Sequence, residues 1–148
     1  MSPSAAAAMM RGLAAFFFVA ALVFASGAFP GFDTLSIMMH DVVDYPLDGT
    51  TGPYTEDARW FSAIGGGVFA SLCVVMWLIF APAIENGDRR IVRSAIISLL
   101  VWFVIDSAGS IGAGVPVNVA FNALFLAMLM APLTLVCQPS GVGVARAT

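Results

Sequence analysis

Four apolar runs, each close to the length that crosses a lipid bilayer, constrain this chain more than any other feature. They extend from Gly12 to Phe29, from about Trp60 to Ile84, from about Ser94 to Ala113, and from about Val117 to Val136. A helix rises about 1.5 Å per residue, so roughly 20 residues cover the ~30 Å of hydrocarbon. Within that depth no water bonds the backbone, so each segment must satisfy its own N–H and C=O groups as a helix. Of the 148 residues, 60% are hydrophobic and 10% charged, which leaves too little polar surface for a water-soluble fold of this size. The expected architecture is all-α: a four-helix transmembrane bundle forming one integral membrane domain over residues 1–148. The third and fourth runs are separated only by Gly114-Val115-Pro116 and must form an antiparallel hairpin, with proline at a helix start.

The arginines set the threading. Arg11 precedes the first run, Arg89, Arg90 and Arg93 lie between the second and third, and Arg146 is in the C-terminal tail. In a four-span threading these five fall on one side. Arg59 alone falls on the other, in a segment that also carries Asp33, Asp41, Asp44, Asp48, Glu56 and Asp57. The positive-inside bias then puts both termini in the cytoplasm and the acidic loop outside. A second reading stays open, because Arg11, the apolar Leu13–Ala25 and the small residues Ala25-Ser26-Gly27-Ala28 also resemble a secretory signal. Cleavage after Ala28 would leave three spans.

In the acidic loop, Asp33 is placed to cap a short helix. Leu35, Met38, Met39, Val42 and Val43 recur at helical spacing, an amphipathic segment suited to the membrane surface or the mouth of the bundle. Tyr45-Pro46 should end it, and Thr55-Glu56-Asp57 should cap the second span with an acidic first turn.

Counting depth along the helices brings seven polar residues into one layer near the outer surface: Arg59, Ser62, Asp106, Ser107, Ser110, Asn118 and Asn122. A carboxyl group at membrane depth is expensive and needs a partner. Arg59 is the natural counter-charge for Asp106, with the serines and asparagines completing the hydrogen bonds. Such a layer serves either as a clamp that fixes helix register or as a ligand, ion or proton site. Small residues mark expected helix contacts: Ala63, Gly67 and Ser71 on the second span, flanked by Gly66 and Ala70, and Gly109 with Ala113 on the third. Gly65-Gly66-Gly67 lacks the preceding strand and the following Lys of a phosphate loop.

No catalytic, cofactor or metal signature appears. His40 with Asp41 and Asp44 is a poor metal set on spacing alone. Cys73 and Cys137 read as small apolar packing residues. Trp60, Trp77 and Trp102 are expected in part as interfacial anchors, Trp60 foremost. Arg89, Arg90 and Arg93 determine topology and carry some affinity for anionic headgroups. With a net charge of −3 and no lysine, the chain has no basic face for nucleic acid. Membrane lipid and other membrane proteins are the expected partners.

Ala58-Arg59-Trp60, Ser62 through Gly67, Val101 through Ser107, Gly109-Ser110, and Pro116-Val117-Asn118-Val119 through Asn122 together resemble a group of small four-span bacterial membrane proteins. The group is uncharacterised and distantly similar to the DoxX-like proteins, and some of its members bear a misleading excinuclease-subunit label. The resemblance covers about half the chain, and the loop Phe32–Pro53 matches little. It implies an inner-membrane four-helix bundle, singles out Arg59, Asp106 and Asn118, and implies no activity. Two functions are therefore expected: a non-enzymatic accessory or scaffold protein, or a small transporter or binder of a lipid or quinone-like molecule using Asp106. A membrane oxidoreductase subunit is a weaker third, because His40 is the only histidine. An open cavity at Asp106 would favour binding, and a directly bonded layer would favour a scaffold.

Overall fold

The computed structural model describes residues 1–46, 48–49 and 52–136. These residues form five helices: α1 (Pro3–Ser26), α2 (Thr34–Asp44), α3 (Glu56–Glu85), α4 (Arg89–Gly112) and α5 (Val117–Thr134). All but α2 are long and apolar enough to cross a membrane. They run up and down in chain order. One end of the bundle carries Arg11, Glu85 and Arg89–Arg93, and the other carries α2 and Arg59; these are called the arginine end and the α2 end.

Local chemistry explains where each helix starts and stops. Helix α1 begins nine residues before the expected Gly12. The Ser2 hydroxyl accepts from Ala5 N–H at 3.2 Å, Pro3 occupies the first turn, and the alanines that follow are strong helix formers. Arg11 therefore sits within the helix, where it pairs with Glu85 at 2.9 Å. Thr55 caps α3 by accepting from Ala58 N–H, and Glu56 and Asp57 complement the dipole of its first turn. Near the other end of α3, Met76–Phe80 winds as a π turn in which Ala81 N–H reaches the Met76 carbonyl. Pro82 explains it. Proline offers no N–H to Leu78, and its ring would press on that carbonyl, so the widened turn relieves the clash.

Two tight reversals follow. Gly87 at φ +68° lets Asp88 N–H bond back to the Ala83 carbonyl at 2.8 Å, and Asp88 then caps α4 through the N–H groups of Arg90 and Ile91. Gly114 at φ +81° does the same at the other end, with Val115 N–H on the Ser110 carbonyl at 2.9 Å before Pro116 opens α5. The expected hairpin is present.

Helix α1 is the hub. Ala7, Met10, Ala14, Phe17 and Ala21 recur every three or four residues and are buried, as is Ala6 beside them. All but Ala21 meet Cys73, Met76 and Phe80 of α3 and Leu129 and Leu133 of α5 in one core that also takes in Ala95 and Leu99 of α4. Phe17 lies edge-on to Phe125 at 5.2 Å and tilted to Phe69 at 5.9 Å. Only 17–33% of each span's apolar window is buried, and Val19, Val68, Val104 and Ile105 are among many exposed apolar side chains. Such a surface suits lipid. Since lipid tails are as apolar as leucine, these helices associate by close packing and hydrogen bonds, not by escape from water.

The close packing of α1 on α3 uses a face one residue away from the expected one. Ser62, Gly66, Cys73 and Met76 are buried, whereas Ala63, Gly67 and Ser71 are exposed. A Cβ on Gly66 would lie 2.5–2.8 Å from Ala25, including its backbone, while one on Gly67 would meet nothing within 4 Å. Gly109 is likewise open, so its expected contact with another helix backbone is absent. Helix α4 packs on α5 and on the Met76–Glu85 part of α3, with no comparable packing on Glu56–Val75.

Candidate functional site

The seven polar residues expected in one layer divide into two clusters. Arg59 stands in the first turn of α3, at the α2 end. Its guanidinium bonds to Asp33 Oδ2 at 2.9 Å and to the Gly27 carbonyl at 3.2 Å. The expected Arg59–Asp106 pair is therefore not formed. Two causes are visible. Asp33 lies in the turn between α1 and α2, beside the start of α3. Asp106 lies on α4, which packs chiefly on α5 and on the far end of α3. Asp33 occupies the N-cap position of α2 without capping it, because its carboxylate is turned to Arg59. That hydrogen bond holds the Asp33 carboxyl below its ordinary range, against the opposing effect of burial.

The same corner is closed by neutral groups. The Ser36 hydroxyl donates to the Phe24 carbonyl at 3.3 Å and lies 3.1 Å from the Tyr54 hydroxyl. Gly27 is where these elements converge: a Cβ there would meet Tyr54 at 2.5 Å, Ser36 Oγ at 2.7 Å and Ser62 Oγ at 2.8 Å. His40 lies between the rings of Phe24 and Tyr54, at 5.9 and 5.0 Å. Burial lowers its pKa, and the charge of Asp44 opposes this. The Tyr54 hydroxyl is pushed up by burial, with the Ser36 bond acting against it.

The second cluster ties α4 to α5. Trp102 Nε1 donates to Asp106 Oδ2 at 3.1 Å. Asn118 Nδ2 donates to Asp106 Oδ1 at 3.2 Å and to Ser110 Oγ at 2.9 Å. The Ser110 hydroxyl has a single proton to share between the Asp106 carbonyl at 2.8 Å and Oδ1 at 3.2 Å. One turn deeper, Asn122 Nδ2 reaches Ser107 Oγ at 3.4 Å, with both residues buried. Asp106 is thus met on both oxygens by neutral donors. Among the described residues, no buried side-chain nitrogen or oxygen lacks a hydrogen-bond partner.

Sequence reasoning missed two participants. Trp102 reads as an anchor from its residue type, but Trp102, Asp106 and Ser110 are spaced by four and share one helix face. Asp33 reads as a cap from its place before α2, but it is also an acid close to where the first span ends and the only arginine on its side begins the second. Trp60, 61% exposed at the start of α3, has the setting of an interfacial anchor. Cys73 is buried, while Cys137 and Arg146 lie outside the described residues. Among the described residues, no three His, Cys, Asp or Glu side chains gather to hold a metal; His40 instead makes ring contacts. Compared with protein-family models, with curated proteins and with solved structures, the chain matches none.

Proposed function

We propose that this chain is a multi-pass protein of the bacterial inner membrane, with both termini cytoplasmic, that acts as a non-enzymatic accessory or scaffold protein. The direct bonding of Asp106 to Trp102, Ser110 and Asn118 carries the reading. A carboxyl whose two oxygens are engaged by its own fold serves to hold α4 and α5 in register. The four arginines at one end and Arg59 at the other support the orientation, and the likeness to small four-span bacterial proteins supports the compartment. Retention of residues 1–28 is part of this proposal, since α1 supplies the hub of the packing.

Extraction in native lipid followed by mass spectrometry tests the role. A scaffold retains protein partners, with the Asp106→Asn variant retaining the same set. A quinone-like or lipid molecule held in stoichiometric amount by the wild type and lost from Asp106→Asn would overturn the reading in favour of a binder or transporter. Alkaline phosphatase fused after Asp48 should be active, and fused after Asp88 inactive. The reverse pattern would contradict the orientation.

A further inference from the structure

At the arginine end, a groove of about 240 Å³ opens between the start of α4 and the ends of α3 and α5. Ile84, Val92, Ile96, Leu133 and Val136 form its apolar wall, and Arg89 and Arg93 its rim. The geometry points to a binding site for one anionic glycerophospholipid, with its phosphate on the two arginines and an acyl chain along the apolar wall.

Three observations choose this occupant. First, Arg89 and Arg93 are one turn apart on the same helix face, about 6 Å along the axis, and both are exposed. Planar guanidinium groups at that spacing suit a phosphate and the polar groups next to it. Secondly, the positive charge of Arg93 is not balanced by the two acids at this end, each of which makes a bond of its own. Asp88 turns its carboxylate onto the N–H groups of Arg90 and Ile91, and Glu85 pairs with Arg11. Arg93 has no acidic partner among the described residues, so this end presents positive charge that an anion complements. Thirdly, the groove pairs its charged rim with a wall of aliphatic side chains from spans that are long and apolar enough to cross a membrane. A soluble anion would use the rim and leave the wall bare, whereas a phospholipid matches both. The placement is that of a basic pocket between spans at the end that the arginine bias assigns to the cytoplasm.

The inference rests on the membrane reading and not on the role of Asp106. The test uses the full chain, stripped of lipid in a non-ionic detergent and offered equimolar phosphatidylglycerol and phosphatidylethanolamine, with adducts read by native mass spectrometry. Phosphatidylglycerol should be retained preferentially. Arg93→Gln should reduce its retention about fivefold, the equivalent of about 1 kcal/mol per arginine near a membrane surface. Arg89→Gln with Arg93→Gln should reduce it further. Arg90→Gln, whose side chain does not line the groove, should change it less than about twofold, against the same per-arginine scale. Equal retention of the two lipids, or an equal loss in Arg90→Gln, would reduce the site to general surface attraction and overturn it. Displacement by inorganic phosphate at matched ionic strength would assign the rim to a free anion, also against the proposal. The same preparation is also reconstituted into vesicles of the two lipids, and a chain that does not enter them and holds neither lipid would fail the membrane reading itself. Insertion without an adduct of either lipid would fail only the groove.

Discussion

The corner around Arg59 and the ladder around Asp106 solve the same problem in opposite ways. Each holds a carboxyl group that needs partners. At the end of α3, beside the acidic loop, Asp33 is met by a full counter-charge and a backbone carbonyl shares the guanidinium. Within α4, Asp106 is met by an indole, an amide and a hydroxyl, all neutral. The difference follows from reach and solvation. Arginine at a helix end can pair with an acid at the same level without dragging its charge into hydrocarbon. A carboxyl further along a span is best served by dipoles already fixed on its own helix and the adjacent one. The corner joins three distant stretches of chain, whereas the ladder is built from spacings of four and a hairpin. The two are accordingly expected to fail independently.

The largest effect is expected at the contact that supports the corner from below. Gly66→Leu should destabilise the bundle by about 3 kcal/mol or more, the upper range of overpacking, because the first added carbon already meets the Ala25 backbone. Thermal unfolding in detergent checks it, and a melt like that of the wild type would mean that α1 and α3 are not apposed there. Next comes the ladder. Asn118→Leu removes the donor shared by Asp106 and Ser110 and should cost about 1–3 kcal/mol, as expected when a partly buried polar group loses its partner. The corner should be left intact in that variant.

A pH titration separates the regions further. His40 has a lowered pKa in the fold, so its neutral form is the favoured one. The stability it permits is complete above its ordinary value of 6.5 and declines as pH falls through the lower folded value. Asp33 behaves in the same sense further down. Its stabilising effect is complete above 3.8 and is lost as pH falls through its depressed folded value. Mild acid should therefore loosen α2 first, measured by hydrogen exchange over Thr34–Asp44, while the α4–α5 hairpin stays protected. His40→Phe should abolish the earlier step. Loosening of both regions together would join what the structure separates. The smallest effect is expected from Gly109→Leu, within about 0.5 kcal/mol of wild type, since nothing faces that position.

The spans, the hairpin and the amphipathic segment were legible because apolar length and turn residues act locally. Helix starts were less so. Ser2, Pro3 and the alanine run extend α1 well beyond its most apolar part, and hydropathy alone does not register a cap. The polar residues of the layer were legible as a set, because membrane depth makes each of them costly. Their partners were not all legible. Counting depth places Arg59 and Asp106 at similar levels but carries no information about which helices are neighbours around the bundle. The packing of α4 on α5 and on the π-turn end of α3 decides that, and it arises from long-range fit. The face of α3 was misjudged for a related reason. Ala63-Gly67-Ser71 and Ser62-Gly66-Ala70 are nearly equivalent small-residue series, and only the approach of Ala25 distinguishes them.

Thermodynamic cycles on Arg59 test the independence of the two regions most directly. Arg59→Gln, Asp33→Asn and Asp106→Asn are combined in pairs, and unfolding is followed in one detergent at neutral pH. Arg59→Gln with Asp33→Asn should be less damaging than the two singles combined, because removing both charges leaves neither uncompensated. Arg59→Gln with Asp106→Asn should be additive to within about 0.5 kcal/mol. Additivity of the Asp33 pair together with clear coupling of the Asp106 pair would contradict that independence and restore a single charged layer across the bundle.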